Sequence, residues 1–229
     1  MTTPKLTTLL IVWQVCVLAT HAQVRVCRSL DSLRQQIRQN GEHRLVELKS
    51  KIPSLEYELR YASTNNFVRK EMYPARTRHT FLRDPVAEAL KKVQVELNAK
   101  GWGLKIWDAY RPHSVTVAFW ELIRDERYVA HPAKGSGHNR GVAVDLTLIQ
   151  LIDKKELEMG TDFDHFSDTA HHGFTQLPTV ALTHRILLRS IMEKHGFKSY
   201  EEEWWHYSWP DPTRFEILDI PFQKLKKLR

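Results

Sequence analysis

The chain has 229 residues, of which 42% are hydrophobic and 27% are charged, a globular composition that excludes a disordered or collagen-like chain. The formal net charge of +7 is scattered along the sequence, apart from a short basic end at residues 224–229. A short basic tail is usually solvated, so we expect no nucleic-acid partner. The charge leaves open a contact with an anionic partner such as the cell wall.

The first 22 residues are predicted to be a secretory signal peptide. Residues 9–19 form a mostly apolar run, and Thr20-His21-Ala22 resembles the small-residue site at which such peptides are cleaved. The run is shorter than the roughly 20 residues of a membrane span. We therefore expect an exported protein, periplasmic or secreted, with residues 23–229 as a single domain and no stable membrane anchor after cleavage. An uncleaved N-terminal anchor is the alternative.

Cysteine use agrees with this expectation. Cys16 would leave with the signal peptide, and Cys27 would then be alone. The mature protein is therefore expected to contain no intramolecular disulfide.

Apolar spacing predicts the elements of the first half of the chain. Residues 27–40 have helical spacing, and residues 55–61 alternate like a strand. A helix begins near Asp84, its expected N-cap, with Pro85 in the first turn, and ends at Gly101. Its predicted apolar side includes Val95.

The second half contains more strand. Residues 104–108, 142–148 and 204–209 are predicted strands, residues 113–124 and 183–195 are predicted helices, and residues 153–172 form a long loop. In the 183–195 helix, Ile186, Leu187, Ile191 and Met192 are expected to be buried. This order predicts an α+β fold with a central antiparallel sheet flanked by helices.

The residues around Asp145 predict a metal site on that sheet. On a strand, Gly141, Ala143 and Asp145 share one face, and the two small residues leave room beside the carboxylate. His138 precedes them on a glycine-flanked loop, and the break at Gly141 lets its ring fold back to the same side. With His206, these side chains form a ligand set typical of hydrolytic zinc, which keeps one position open for water.

Two further residues have chemistry that suits such a site. Glu203 lies three positions before His206, so we expect it in the turn that enters the strand, as the general base towards a zinc-activated water. Arg111 follows a predicted strand, and Asp108 lies three residues earlier to hold it. A guanidinium at that place could stabilise an oxyanion.

Each motif by itself is a weak signal. A lone His138 among 12 histidines is more often structural, and the aromatic residues within 204–209 are more typical of a core. His171 and His172 are a second candidate metal pair. Neighbouring side chains point apart on extended backbone, which argues against that pair.

In combination, three motifs resemble the zinc D-alanyl-D-alanine dipeptidases of the VanX type. They are Ser136-x-His138-x2-Gly141-x-Ala143-x-Asp145, Glu203-Trp204-Trp205-His206, and Trp107-Asp108-Ala109-Tyr110-Arg111-Pro112. The resemblance extends over residues 54–207 and includes the stretch 59–62. It implies the hedgehog-like zinc fold of these peptidases, with one Zn²⁺ per chain held by His138, Asp145 and His206. It also implies that Glu203 is the base and that Arg111 stabilises the transition state.

The resemblance further implies that Asp164 and Ser136 contact a D,D-dipeptide, Asp164 through the free amino group. The surrounding residues 162–167 depart from the family pattern, with His165 at a position expected to be apolar. Asp162 or Asp168 therefore stays open as the alternative.

The implied reaction is hydrolysis of D-alanyl-D-alanine or similar D,D-dipeptides to free amino acids. Two other functions use the same ligands. One is a D,D-carboxypeptidase or endopeptidase that acts on peptidoglycan, and the other is a non-catalytic zinc-bound binding module. The presence of Glu203 and Arg111 argues against the binding module.

Overall fold

The computed structural model describes residues 25–228. The predicted signal peptide, residues 1–22, lies outside them. The strands are β1 (Val26–Cys27), β2 (Leu45–Glu47), β3 (Glu56–Tyr57), β4 (Phe81–Arg83), β5 (Trp102–Asp108), β6 (Ala143–Gln150), β7 (Lys198–Tyr200), β8 (Glu203–Ser208) and β9 (Ile217–Leu218). The helices are α1 (Leu30–Gln39), α2 (Leu48–Lys51), α3 (Asp84–Asn98), α4 (His113–Ile123), α5 (Gly137–Arg140), α6 (Thr179–Lys194) and α7 (Phe222–Leu225).

The main sheet has five strands in the order β3-β5-β6-β8-β7. Neighbouring strands from β5 to β7 pair antiparallel, whereas β3 pairs parallel with β5. The α+β prediction is therefore confirmed, but the sheet is antiparallel over four strands only. The chain passes through α3 between β3 and β5, and such a crossover allows parallel pairing.

The predicted strand over residues 55–61 is shorter than expected. Only Glu56 and Tyr57 pair with β5, and the chain then turns into a 3-10 helix at Arg60–Ala62. Two small sheets lie apart from the main one, with β1 parallel to β9 and β2 antiparallel to β4. The β1–β9 pair joins the first described residues to the C-terminal segment.

Helix α3 begins at Asp84, so the predicted N-cap is wrong by one position. Arg83 precedes the helix and makes no capping bond with its side chain. Asp84 instead lies in the first turn, where its carboxylate suits the helix dipole and pairs with Lys51. On the same helix, Val95 is 62% exposed and not part of the apolar side that packs on the core.

Helix α6 starts four residues earlier than predicted and turns a different face inwards. Ile186 is 68% exposed, so its predicted burial is wrong, and Leu187 is half-buried. The buried positions, at helical spacing, are Ala181, Arg185, Leu188, Ile191 and Met192. An arginine, Arg185, is thus among the buried residues of this helix.

The aromatic residues of β8 belong to the core, as expected. Trp204 and Trp205 are fully buried, and Trp204 lies edge-on to Trp107 of β5 with 5.7 Å between ring centroids. Within residues 25–228, no helix has the length and apolar character required to cross a membrane. Cys27 is a free, buried thiol.

Candidate active site

Strands β6 and β8 bring two of the predicted ligands together. Asp145 and His206 are direct partners in the register of this antiparallel pair. Side chains at directly opposite positions of neighbouring strands project from the same face of the sheet. Ala143 shares that face as predicted, and its small side chain lies close to Gly137, where a Cβ would come within 2.8 Å of it.

His138 reaches the same place from the short helix α5, not from a loop as predicted. Ser136 caps α5 by accepting the Asn139 N–H, and the Asn139 side chain accepts the Ser136 N–H in return. Gly141 ends α5 with φ +71°, and a Cβ there would lie 2.6 Å from the Leu45 side chain. Glycine is therefore required at the reversal that leads from His138 into β6.

The three predicted ligands lie close enough to share one metal ion. His138 Nε2 is 3.3 Å from His206 Nδ1 and 3.4 Å from Asp145 Oδ2, and His206 Nδ1 is 2.9 Å from Asp145 Oδ1. Bonds of about 2.0–2.1 Å to a tetrahedral zinc place ligand atoms about 3.3 Å apart. The donor types and their spacing therefore fit zinc, and these residues form a metal-ligand cluster within the described part of the chain.

The orientation of the His138 ring is fixed by a hydrogen bond of the nitrogen that faces away from the other ligands. Its Nδ1 lies 2.7 Å from the carbonyl oxygen of Ala109. A carbonyl only accepts, so Nδ1 carries the proton and Nε2 presents a lone pair to the other ligands. Such a second contact is the usual way in which a ligating histidine is oriented.

Arg111 lies just beyond β5, beside Asp145. Its Nε donates to Asp108 Oδ2 at 2.9 Å, and its Nη2 forms an ion pair with the same oxygen at 2.8 Å. Nη2 also lies 3.9 Å from Asp145 Oδ2. Its guanidinium carbon lies 5.1 Å from the ring centres of Tyr61 and of Phe119. Burial acts to lower the pKa of Arg111, but Asp108 and the other acidic groups around it together outweigh burial, and the pKa lies above its ordinary value. A fixed cation therefore faces the metal ligands.

Glu203 is the first residue of β8 rather than part of the preceding turn. The register of β8 against β7 shifts between Ser199 and Tyr200, and this irregularity lets Glu203 and His206 face one cavity. Glu203 Oε2 is 3.9 Å from His206 Nδ1. Burial raises the pKa of Glu203 well above its ordinary value, and the neighbouring carboxylates of Asp145 and Asp164 raise it further.

Of the three acidic residues considered for substrate binding, Asp164 lines the cavity. Its Oδ1 accepts a 3.0 Å hydrogen bond from the Tyr61 hydroxyl, while its buried Oδ2 has no partner among the described residues. Burial, followed by the Asp145 carboxylate, raises the pKa of Asp164 to about 8. The side chains of Asp162 and Asp168 are 68% and 90% exposed. A buried carboxylate oxygen without a donor is suited to a cationic ligand.

The second candidate metal pair does not come together. His171 Nε2 lies 3.9 Å from exposed Asp168, whereas the His172 ring lies edge-on to Tyr207, 6.1 Å away. The two rings point apart, as expected for neighbours on extended backbone.

These groups surround one cavity of about 240 Å³. Pockets for drug-sized ligands measure roughly 300–1,000 Å³, so this one suits a smaller molecule. Two contacts hold tyrosines that line this cavity. The Tyr200 hydroxyl donates to the Arg127 carbonyl at 3.1 Å, and the Tyr128 ring stacks on Phe166 at 4.4 Å.

Three tyrosines that line this cavity have no role predicted from the sequence: Tyr61, Tyr128 and Tyr200. Tyr61 lies in the stretch 59–62 that is part of the family resemblance, so the sequence did indicate that this residue belongs near the site. Tyr128 and Tyr200 come from segments whose position only the tertiary fold determines.

Two imidazoles, a carboxylate and a buried glutamate beside them define the centre of a metal-dependent hydrolase. Residues 41–227 match the Peptidase_M15 family, described as D-ala-D-ala dipeptidase. The chain belongs to this family of zinc metallopeptidases, which confirms the resemblance to zinc dipeptidases.

Individual relatives agree with the family assignment. The chain is 34% identical over 178 residues to the D-alanyl-D-alanine dipeptidase of Escherichia coli (strain K12), covering 78% of this chain and 91% of that protein. It is 31% identical over 199 residues to the D-alanyl-D-alanine dipeptidase of Enterococcus faecalis, covering 79% and 95%. A solved structure of the LdcB LD-carboxypeptidase has 21% identity and a TM-score of 0.37, over 56% of this chain and 59% of that one.

Proposed function

We propose that this protein hydrolyses D-alanyl-D-alanine, or similar D,D-dipeptides, to free amino acids. One observation carries the proposal: a metal-ligand cluster, a buried glutamate and a buried carboxylate oxygen that has no partner among residues 25–228 line one small cavity. Relatives with 31–34% identity over most of the chain are D-alanyl-D-alanine dipeptidases, which supports the choice of substrate.

His138, Asp145 and His206 would hold one Zn²⁺ per chain. When bound, the ion would supply Lewis acidity and lower the pKa of water at its open position. Its positive charge would also offset the repulsion among the carboxylates of Asp145, Asp164 and Glu203, which face one another across the cavity.

Glu203 is the proposed general base. Its carboxylate would take a proton from the attacking water and return it to the amine that leaves when the peptide bond breaks. Its Oε2 lies 3.9 Å from a ligand nitrogen of His206, so it is close to the metal position without belonging to the ligand set.

Arg111 is proposed to stabilise the oxyanion that forms when water adds to the peptide carbonyl. Its guanidinium is already oriented by Asp108, so little reorganisation would accompany the reaction. A planar, always protonated donor suits this role better than lysine does.

Asp164 and Ser136 are proposed to bind the dipeptide. Asp164 Oδ2 would accept a hydrogen bond from the free ammonium group, and a blocked amino terminus could not provide that bond. The Ser136 hydroxyl accepts the Asn139 N–H in the cap, which leaves its own proton to donate to a substrate oxygen.

We further propose that residues 1–22 are a signal peptide and that residues 23–229 act outside the cytoplasm as a single domain on dipeptides derived from peptidoglycan. The N-terminal sequence pattern supports export. The net charge of +7 supports contact with anionic wall polymers.

Chromatography of the zinc-loaded protein with D-Ala-D-Ala, L-Ala-L-Ala and N-acetylated D-Ala-D-Ala tests the proposal. We expect free alanine from D-Ala-D-Ala, and far slower release from the other two. Release from a longer peptide without cleavage of D-Ala-D-Ala would instead support a carboxypeptidase or endopeptidase. Zinc binding without any hydrolysis would support a binding module.

A further inference from the structure

We propose that Arg185 is a positioning residue that holds the Asp164 loop, residues 159–171, in the conformation that binds the substrate's amino group. The inference rests on the proposed role of Asp164. Arg185 lies on α6, away from the cavity lining, and would act only through the loop.

Four hydrogen bonds join the guanidinium to both ends of the Asp164 loop. Nε donates to the Met159 carbonyl at 2.6 Å, and Nη2 donates to Thr161 Oγ1 at 3.3 Å. Nη1 donates to the carbonyls of Thr169 and His171 at 2.9 and 3.2 Å. A planar fork with five donors can bridge such separated acceptors, whereas a lysine ammonium cannot.

The Arg185 side chain is buried, and no carboxylate of the described residues pairs with it. Arg185 is 3% exposed, and its hydrogen-bond acceptors within residues 25–228 are carbonyl and hydroxyl oxygens of the loop. Burial of a cation is unfavourable unless its donors are satisfied. The loop and Arg185 therefore depend on each other, because without the loop carbonyls the cation would be buried unpaired.

The residue held between these anchors has an unfavourable backbone conformation. Asp164 has φ +56°, in the left-handed region that residues with a Cβ rarely adopt. Such conformations persist where surrounding contacts fix them. The Arg185 anchors precede Asp164 at Met159 and Thr161 and follow it at Thr169 and His171, so they fix the loop on both sides.

Arg185 also connects the loop to the strand that carries the proposed base. Its guanidinium carbon lies 5.6 Å from the Trp204 ring, and Trp204 Nε1 donates to Thr161 Oγ1 at 2.8 Å. Trp204 is the neighbour of Glu203 on β8. Arg185 and Trp204 together set the position of the Asp164 carboxylate relative to the metal ligands.

A double-mutant cycle tests the inference on the zinc-loaded enzyme. The variants are Arg185→Gln, Asp164→Asn and their combination, with kcat and KM measured separately for D-Ala-D-Ala. Misplacement by about 1 Å can reduce kcat/KM by up to about 100-fold, so we expect Arg185→Gln to raise KM by at least about 10-fold and to change kcat less. In the Asp164→Asn background, the same substitution should change KM less than about 2-fold, because Arg185 acts through Asp164.

Two further variants distinguish a positioning role of Arg185 from a general loss of folding. Arg185→Lys keeps the charge but cannot bridge all four acceptors, so it should raise KM in the same way at a smaller cost in thermal stability. Arg189→Gln removes a surface arginine one turn further on, which pairs with Glu193, and should leave KM unchanged.

The outcomes separate the two proposals. If Asp164→Asn leaves KM unchanged, the proposed role of Asp164 is wrong. If Asp164→Asn raises KM while Arg185→Gln and Arg185→Lys do not, the positioning role of Arg185 is overturned. Independent, additive effects on KM in the double variant would overturn it as well.

Discussion

The Arg111 guanidinium contacts a single oxygen of Asp108, Oδ2, through a 2.9 Å hydrogen bond from Nε and a 2.8 Å ion-pair contact from Nη2. The other oxygen, Oδ1, accepts from the Tyr73 hydroxyl at 2.6 Å and from the Ala109 N–H at 2.9 Å. Both oxygens of this fully buried carboxylate are thus occupied, and the direction of the guanidinium is set before any substrate binds.

Replacement of Arg111 by lysine should lower kcat by about 100-fold or more, because removal of one oxyanion donor typically costs 10²–10³ in rate. Zinc content should stay at one per chain, since Arg111 is not a ligand. Steady-state kinetics with metal analysis checks this. Tyr73→Phe, which removes one of the bonds that hold Asp108, should have a smaller effect in the same direction. Wild-type kcat in Arg111→Lys would contradict the assigned role.

Replacement of Glu203 by alanine should lower kcat by roughly 10²–10⁴ while the bound zinc remains. The ligand atoms of His138, Asp145 and His206 are unaffected by this change, so metal and base are separable. Metal analysis and product chromatography on one preparation give both values. Survival of activity would show that the proton acceptor is another group.

Removal of zinc with a chelator should abolish activity and lower the melting temperature. A ligand at 1,000 times its Kd stabilises the folded state by about 4 kcal/mol, and the effect should be large here because the ion would offset three neighbouring carboxylates. Scanning calorimetry before and after chelation, with zinc restored as the control, measures the shift. Equal melting temperatures would contradict a structural contribution of the metal.

Stability should fall in acid partly because of His172. Burial, followed by the charges of Arg189 and Arg185, lowers the pKa of His172 to about 4 in the folded protein. The unfolded state, with a pKa of about 6.5, binds the proton first, so the free energy of unfolding falls as pH drops from about 6.5 towards 4. From pH 7 to pH 5, the free energy of unfolding of His172→Phe should fall by about 1–2 kcal/mol less than that of the wild type. Urea unfolding at both pH values measures this difference in the free energy of unfolding, with His171→Phe as the control.

Tyr128 lines the cavity and stacks on Phe166, and this contact is expected to limit the length of the substrate. Tyr128→Ala removes the stacked ring and widens the cavity mouth, so an N-extended D-Ala-D-Ala peptide that the wild type excludes should become a weak substrate. Tyr200→Phe, which loses one hydrogen bond to the Arg127 carbonyl, should have less effect. Equal cleavage of the longer peptide by wild type and Tyr128→Ala would show that the stacking of Tyr128 on Phe166 does not limit the length of the substrate.

The ligand strand was predictable because strand alternation is strict. Ala143 and Asp145 could be assigned to one face from spacing alone, and the structure has Asp145 opposite His206 on the neighbouring strand. The assignment of Gly141 to the same strand is wrong, because Gly141 ends α5 before β6 begins. The place of His138 on a helical turn was not predictable, because the capping contacts between Ser136 and Asn139 that form the turn resemble those of many loops.

Other features depend on contacts between distant parts of the chain. The Tyr61–Asp164 hydrogen bond joins residues 103 positions apart, and no local pattern indicates it. The burial of Arg185 and the exposure of Ile186 reverse what hydrophobicity predicts, because the carbonyl groups of the 159–171 loop replace water around the guanidinium. Pairing of β3 in parallel with β5 likewise follows from the path through α3.

The register of β6 against β8 has a consequence for how this chain can vary. Asp145 and His206 lie directly opposite each other in this register, and a shift of one residue would turn His206 to the opposite face of the sheet. A single insertion within either strand should therefore destroy the metal centre, whereas residues 124–135, which lie between α4 and α5 and supply no ligand atom, should tolerate a change in length without moving it. New substrate preferences in this lineage are thus expected to arise through insertions and deletions around the cavity mouth, with the strands that bear the ligands left at constant length.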